Sequence, residues 1–241
     1  MNTPPVSLPS RRSFLVNFAL GTAGLAVVPR ILVAAETAAS APPMRKLGVA
    51  LVGLGSYATN QLVPALAQSK HCRLAAIVTG TPEKAARWKR EHDLPERCVY
   101  DYATMDRLAD NPDVDVVYVV TPPGLHAEQT IRAAKAGKHV ICEKPMAVSV
   151  TECDAMISAC RAAGVHLSIG YRLQFEPTWR ELKRLAREKD FGEFQTMNGG
   201  FGFRYRGGGW RIDKKLGGGG PLMDVGIYVV QAACMAGNGA P

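Results

Sequence analysis

The stretch Leu47-Gly48-Val49-Ala50-Leu51-Val52-Gly53-Leu54-Gly55-Ser56-Tyr57-Ala58 decides the fold. An apolar run the length of one strand, Leu47 to Val52, passes directly into Gly-x-Gly-x-x-Ala and then toward a helix-forming stretch, Leu62 to Gln68. Each position in the turn has a physical reason. Gly53 permits the tight turn, Gly55 lets a ligand's pyrophosphate approach the backbone, and Ala58 stands where helix and strand must pack closely. The helix start behind Ser56 and Tyr57 offers free N–H groups to phosphate. Alone, this pattern is also that of a plain strand-to-helix turn, so its meaning depends on the rest of the chain.

Beyond Ala58, strands and helices alternate. Strands are expected at Leu74 to Val78, Cys98 to Tyr100, the unbroken Val114 to Val120, His139 to Cys142 and Val165 to Ile169. Between them lie helical stretches at Glu83 to His92, Thr104 to Ala109, Leu125 to Ala136 (stopped by Gly137) and a segment opened by the capping box Ser149-Val150-Thr151-Glu152. Six strands separated by helices predict an α/β fold, a doubly wound parallel (Rossmann) sheet over 46–170, with ligand at the carboxyl ends of its strands. After Gly170 the pattern changes. A helix from Pro177 to about Lys189, an extended strand over Glu193 to Phe203, glycine-rich loops at 207–209 and 217–220, and an apolar helix from Pro221 to Met235 predict an incomplete α+β substrate domain over 171–241.

The end of the second strand bears on the nucleotide. An NAD site would place Asp or Glu there for the ribose 2′-hydroxyl. The chain instead reads Val78-Thr79-Gly80-Thr81, with no acid until Glu83 and with Lys84 and Arg87 one helical turn apart in the next helix. A missing acid and added base both favour a 2′-phosphate, hence NADP over NAD.

Composition narrows the classes. With 47% hydrophobic and 21% charged residues among 241, the chain is an ordinary globular protein and not collagen-like, disordered or coiled-coil. The net charge of +8 falls to +5 without Arg11, Arg12 and Arg30, and the remaining basic residues are scattered along helical stretches. No basic stripe interleaved with aromatics is present, so nucleic acid is not an expected partner. The six cysteines form no Cys-x-x-Cys pair, and the five histidines show no ligand spacing; buried thiols and no metal are the expectation.

Residues 1–41 read as an address. Ser10-Arg11-Arg12-Ser13-Phe14-Leu15 precedes an apolar stretch, Val16 to Val28, too short to span a bilayer comfortably, with small residues offering cleavage sites beyond it. The pattern resembles a twin-arginine signal, which implies export of an already folded protein to the periplasm without stable membrane insertion.

Glu143-Lys144-Pro145 falls at the carboxyl end of the fifth strand, where such sheets bind ligands. Together with Tyr100-Asp101-Tyr102, Leu125-His126-Ala127-Glu128, Ala136-Gly137-Lys138-His139, Gly170-Tyr171-Arg172, Trp210-Arg211 and Gly219 through Tyr228, it makes the chain similar to the Gfo/Idh/MocA oxidoreductases, closest to their exported, sugar-oxidising branch. The resemblance runs from about Leu47 to Tyr228. It implies hydride transfer between a sugar hydroxyl carbon and a tightly held nicotinamide, an aldose becoming a lactone while a second sugar is reduced. A dehydrogenase that releases its nucleotide and a non-catalytic nucleotide-binding protein stand as alternatives.

Oxidising a sugar carbon needs a base for the hydroxyl proton. Many family members have histidine four residues after the aspartate; here Asp224 is followed at that distance by Tyr228. A tyrosine is a weak base near neutrality unless a cation stabilises its phenolate, and Lys144 is the candidate cation. Tyr228 is therefore expected as acid/base, Lys144 as its electrostatic partner and a ligand of both cofactor and substrate, and Asp224 as an orienter of sugar hydroxyls. By resemblance, Arg172, Trp210 and Arg211 lie near cofactor or substrate, and Tyr102, Thr121, His126 and Glu143 line the nucleotide with Ser56, Tyr57, Thr79, Gly80 and Lys84. In Thr121-Pro122-Pro123-Gly124, Pro123 stands where relatives often carry Asn. Relatives also build a large open sheet after the nucleotide domain and oligomerise through it. About 70 residues follow Gly170 here, so the chain is expected to be a C-terminally truncated piece of a homo-oligomeric parent.

Overall fold

The computed structural model describes residues 45–237. The arginine motif and the rest of residues 1–44 lie outside the described residues.

Six strands form one sheet: β1 (Leu47–Val52), β2 (Cys72–Val78), β3 (Val99–Tyr100), β4 (Val116–Val119), β5 (His139–Cys142) and β6 (Leu167–Ile169). All neighbours pair in parallel, in the order β3-β2-β1-β4-β5-β6. The order reverses between β1 and β4, which opens a crevice at their carboxyl ends. Backbone bonds keep those ends level: Val120 N donates to Val52 O at 2.8 Å, Glu143 N to Val119 O at 3.0 Å and Gly170 N to Cys142 O at 2.7 Å.

Helices cover both faces. α1 (Val63–Gln68), entered through a π-helical turn at Ala58–Leu62, and α2 (Pro82–Glu91) enclose a core of Leu51, Ile77 and Trp88 on one face. α3 (His126–Lys135) and α4 (Val150–Ala162) enclose Val52, Val78, Val117, Val119, Met156 and Cys160 on the other. Strands buried on both sides explain why Val116 to Val120 carries no polar alternation. Ser149 caps α4 by accepting from Glu152 N at 3.2 Å, while Glu152 Oε2 accepts from Val148 N at 3.1 Å, a capping box displaced by one residue.

Beyond Gly170 lie α5 (Pro177–Glu188), the short α6 (Lys214–Gly217) and α7 (Ile227–Ala236), the last entered through a π-helical turn at Leu222–Gly226. The expected strand over Glu193 to Phe203 does not form: these residues have no regular secondary structure, and Phe194, Phe201 and Phe203 are exposed. A strand needs a partner's N–H and C=O groups, and among the described residues no strand lies beside this one. All six cysteines are free thiols, three of them buried. Among the described residues, no helix is long and apolar enough to cross a membrane, and no His/Cys/Asp/Glu group could hold a metal ion.

Candidate active site

A cleft of about 230 Å³ opens where the ends of β4 and β5 meet the segment after β6. Its lining combines Tyr57, Thr121, Pro123, Glu143, Lys144 and Arg172 with Trp210, Arg211, Asp224 and Tyr228, residues drawn from both parts of the described chain.

Lys144 occupies the centre. Its Nζ donates to the Asp224 carbonyl and lies 3.5 Å from Asp224 Oδ1, both side chains being mostly buried. The same ammonium sits 4.6 Å from the centroid of the Tyr228 ring, over its face. Asp224 also accepts from Arg211 Nε at 2.7 Å, and the Arg211 guanidinium stacks on Trp210 at 4.2 Å. One carboxylate thus holds two cations, and each cation rests on an aromatic ring. Phe201 packs against Tyr228 with centroids 5.6 Å apart. The Lys144–Pro145 peptide bond is cis.

Glu143 points into the floor of the cleft. Its Oε1 accepts from Tyr118 Oη at 2.8 Å and its Oε2 from Lys144 N at 3.2 Å. Burial raises its pKa above the ordinary carboxylate value, with the Tyr118 bond, the Lys144 amide and the charges of Lys144 and Arg172 acting against that rise. Burial and the Glu143 charge likewise raise the phenol of Tyr57. The phenol of Tyr118 is raised far beyond its ordinary value, by burial first and by Glu143 second. Tyr118 was not legible as a site residue; the available signal was one hydroxyl within an otherwise aliphatic strand. Gly170 was not legible either: a Cβ there would stand 2.8 Å from Glu143 Oε1, so the carboxylate depends on that missing side chain.

The glycine turn has the geometry a pyrophosphate needs. Gly53 has φ +96°, and a Cβ on it would meet Thr121 Cγ2 at 2.8 Å, whereas a Cβ on Gly55 would meet nothing within 4 Å. Gly55 thus presents bare backbone to open space beside the helix start at Ser56, an arrangement that fits a dinucleotide. Thr79 and Gly80 follow β2, and Gly80 packs under the ring of Tyr102, whose carbons lie 3.0 Å from where its Cβ would be. Lys84 is exposed in the first turn of α2. Ser56, Thr79, Gly80, Lys84 and Tyr102 do not line the cleft itself; they sit at or beyond the ends of β1, β2 and β3.

His126 is 1% exposed and does not line the cleft, with Nε2 2.8 Å from Thr121 O and Nδ1 2.9 Å from Pro145 O. As the first residue of α3, it is turned beneath the loop after β4 instead of outward from it.

Sequence comparison accounts for this arrangement. Residues 47–171 match the oxidoreductase family with an NAD-binding Rossmann fold, Gfo/Idh/MocA, and residues 179–241 match a Gfo/Idh/MocA C-terminal domain. The chain belongs to the Gfo/Idh/MocA family. A D-xylose 1-dehydrogenase [NADP(+)] from Haloarcula marismortui is 31% identical over 80% of this chain and 54% of its own length. A trans-1,2-dihydrobenzene-1,2-diol dehydrogenase from Xenopus tropicalis is 30% identical over 69% of this chain and 49% of its own. The crystal structure of an aldose-aldose oxidoreductase from Caulobacter crescentus complexed with glycerol superposes with a TM-score of 0.74 at 46% identity, covering 80% of this chain and 58% of that one. The chain spans about half the length of the curated relatives it matches. These relatives are named as a sugar dehydrogenase, a diol dehydrogenase and an aldose oxidoreductase.

Proposed function

We propose that this chain carries the hydride-transfer centre of an NADP-dependent sugar oxidoreductase of the glucose–fructose type, which keeps its nucleotide bound while oxidising an aldose to a lactone and reducing a second sugar. The observation that carries the reading is the convergence of Lys144, Asp224 and Tyr228 at the carboxyl ends of β4 and β5, beside a nucleotide-binding turn. The 46% identity to an aldose-aldose oxidoreductase supports the two-sugar form.

The bound nicotinamide would supply the hydride acceptor in one half-reaction and the donor in the other. Tyr228 takes the proton of the sugar hydroxyl as its C–H bond breaks, and returns a proton to the carbonyl oxygen of the second sugar. Lys144, facing the ring of Tyr228, stabilises negative charge on it and donates to the reacting oxygen. Asp224, held by Lys144 and Arg211, accepts from neighbouring sugar hydroxyls and fixes the reacting carbon. Trp210 offers an apolar face to the sugar ring, and Arg172 lines the cleft near enough to Glu143 for its charge to act on that carboxyl. For the 2′-phosphate, the absence of an acid between β2 and α2 and the exposed Lys84 favour NADP. The Arg11-Arg12 motif favours folded export to the periplasm, and the parent protein is read as a homo-oligomer.

The second reading, a dehydrogenase that releases its nucleotide, is favoured by the similarity to a D-xylose 1-dehydrogenase [NADP(+)]. Adding aldose to purified protein without nucleotide separates the two. Appearance of the near-ultraviolet absorbance of reduced nicotinamide, lost again on adding a second sugar, is the result expected; no signal until NADP+ is supplied overturns the retained-cofactor reading.

A further inference from the structure

The cleft holds two carboxylates, and their partners differ in kind. Asp224 is paired with two cations, Lys144 Nζ at 3.5 Å and Arg211 Nε at 2.7 Å. Glu143 makes no ion pair among the described residues, and neutral donors hold it instead. Tyr118 Oη gives its one hydrogen to Oε1 at 2.8 Å, and the Lys144 amide gives its own to Oε2 at 3.2 Å. The charge of Asp224 is thus matched on the spot, whereas that of Glu143 is left over at the cleft lining. An oxidised nicotinamide carries a positive ring that becomes neutral on reduction. To exchange hydride with a sugar held by Lys144, Asp224 and Tyr228, that ring must enter this same cleft.

We propose that Tyr118 is a positioning residue that holds the Glu143 carboxylate as the counter-charge of the oxidised nicotinamide, biasing the bound nucleotide toward NADP+ over NADPH. The bias rests on the nucleotide reading of the cleft given above. Coulomb attraction from Glu143 acts on the oxidised ring and vanishes when the ring is reduced. Tyr118 from β4, Tyr57 from the helix start after Gly55, Lys144 and Cys142 on either side, and Arg172 after β6 are the titratable and charged groups that interact with Glu143. Burial raises its pKa, and the bond from Tyr118 is the foremost influence opposing that rise. Removing the phenol oxygen therefore lets Glu143 take up a proton, and lose its charge, at a higher pH.

Competition between the two nucleotide forms tests this without any turnover. The full chain is equilibrated with mixtures of NADP+ and NADPH, and the two bound forms are quantified after free nucleotide is removed. At pH about 8, Glu143→Gln is expected to shift the bound ratio about tenfold or more toward NADPH. Tyr118→Phe is expected to match the unmodified protein at that pH and to move toward the Glu143→Gln ratio as pH falls, at a higher pH than the unmodified protein does. A tyrosine that only filled space would change the affinity for both forms alike and leave the ratio unmoved at every pH. An unchanged ratio in Glu143→Gln, or a Tyr118→Phe ratio that follows the unmodified protein throughout, overturns the inference. If the variants do not fold, the unmodified protein decides: its bound ratio must move toward NADPH as pH falls from about 8 to about 5, and a constant ratio overturns the inference. Binding of both forms with an unshifted ratio leaves the nucleotide reading standing, whereas binding of neither form at any pH overturns that reading and the counter-charge together.

Discussion

Tyr228 meets the chain's chemistry at its oxygen and the chain's packing at its ring, and a single substitution separates the two. Tyr228→Phe keeps the ring over Lys144 and against Phe201 but removes the oxygen proposed as acid/base. Turnover is expected to fall about 10²- to 10⁴-fold, with NADP+ affinity and unfolding temperature nearly unchanged; an undiminished rate in a steady-state sugar assay removes Tyr228 from its role. Glu143 gives a pH signature of a different kind. Its folded-state pKa lies above the unfolded carboxylate value because of burial, so its contribution to stability is fully present below the unfolded value and is lost as pH rises through the folded one. The unfolding temperature of Glu143→Gln, measured against the unmodified protein from pH about 4 to about 7, should therefore shift in the variant's favour as pH rises. A constant difference across that range would show that the carboxylate titrates alike in both states. Among single residues, Gly53, Lys144, Asp224 and Tyr228 were legible because a turn, a strand end and an i,i+4 spacing announce them. His126 was legible as the opening of a helix, but a sequence does not show whether its ring turns outward or under the loop.

At the scale of elements, strands buried on both faces were the plainest signal: β5 falls on the expected His139–Cys142 and β1 on Leu47–Val52. Both helices at the ends of the cleft, the ones after Gly55 and after Gly220, were legible as helices, but their π-helical entries at Ala58–Leu62 and Leu222–Gly226 were not, because a one-residue widening leaves no composition trace. The strand expected over Glu193 to Phe203 failed for the opposite reason: local alternation is visible, but a ladder partner belongs to some other part of a sheet. Two glycines of β1 and its turn test how far the first motif is structure and how far function. A Cβ on Gly48 would lie 1.8 Å from Asp113 O, a backbone atom, and 2.9 Å from Ala75 Cβ, so the β1 edge would have to move. Gly48→Ala should destabilise the fold by about 3 kcal/mol in urea unfolding. Gly55→Ala meets no neighbour and should change stability by no more than about 0.5 kcal/mol. It should nevertheless weaken NADP+ binding at least about tenfold in a direct titration, because the added methyl stands where pyrophosphate approaches the backbone. Equal effects of the two substitutions on stability would mean that Gly55 is a packing residue.

In the whole molecule, the sheet separates two apolar cores, one under α1 and α2 and the other under α3 and α4. The crevice between β1 and β4 is where a ligand would touch both halves: Gly53 and Gly55 belong to the half running toward β3, Thr121 and Glu143 to the half running toward β6. A dinucleotide lying across that crevice adds a link that the unfolded chain cannot make, so it stabilises by mass action. At a hundredfold excess over Kd the gain is about 2.7 kcal/mol. For a chain of this size, each kcal/mol raises the unfolding temperature by about 2–4 °C, which gives an expected rise of roughly 5–10 °C. The same measurement reads the nucleotide preference, because Thr79-Gly80-Thr81 after β2 carries no acid and the first turn of α2 exposes Lys84 beside Glu83. At equal concentration, NADP+ should raise the unfolding temperature more than NAD+ does. Lys84→Ala should shrink the NADP+ rise toward the NAD+ value without altering the unfolding temperature of the unliganded protein, as expected when an exposed cation meets a 2′-phosphate. Equal shifts for the two nucleotides in the unmodified protein would overturn the 2′-phosphate reading but not the proposal that Lys144, Asp224 and Tyr228 form the hydride-transfer centre, since those three line the cleft and not the second strand's end.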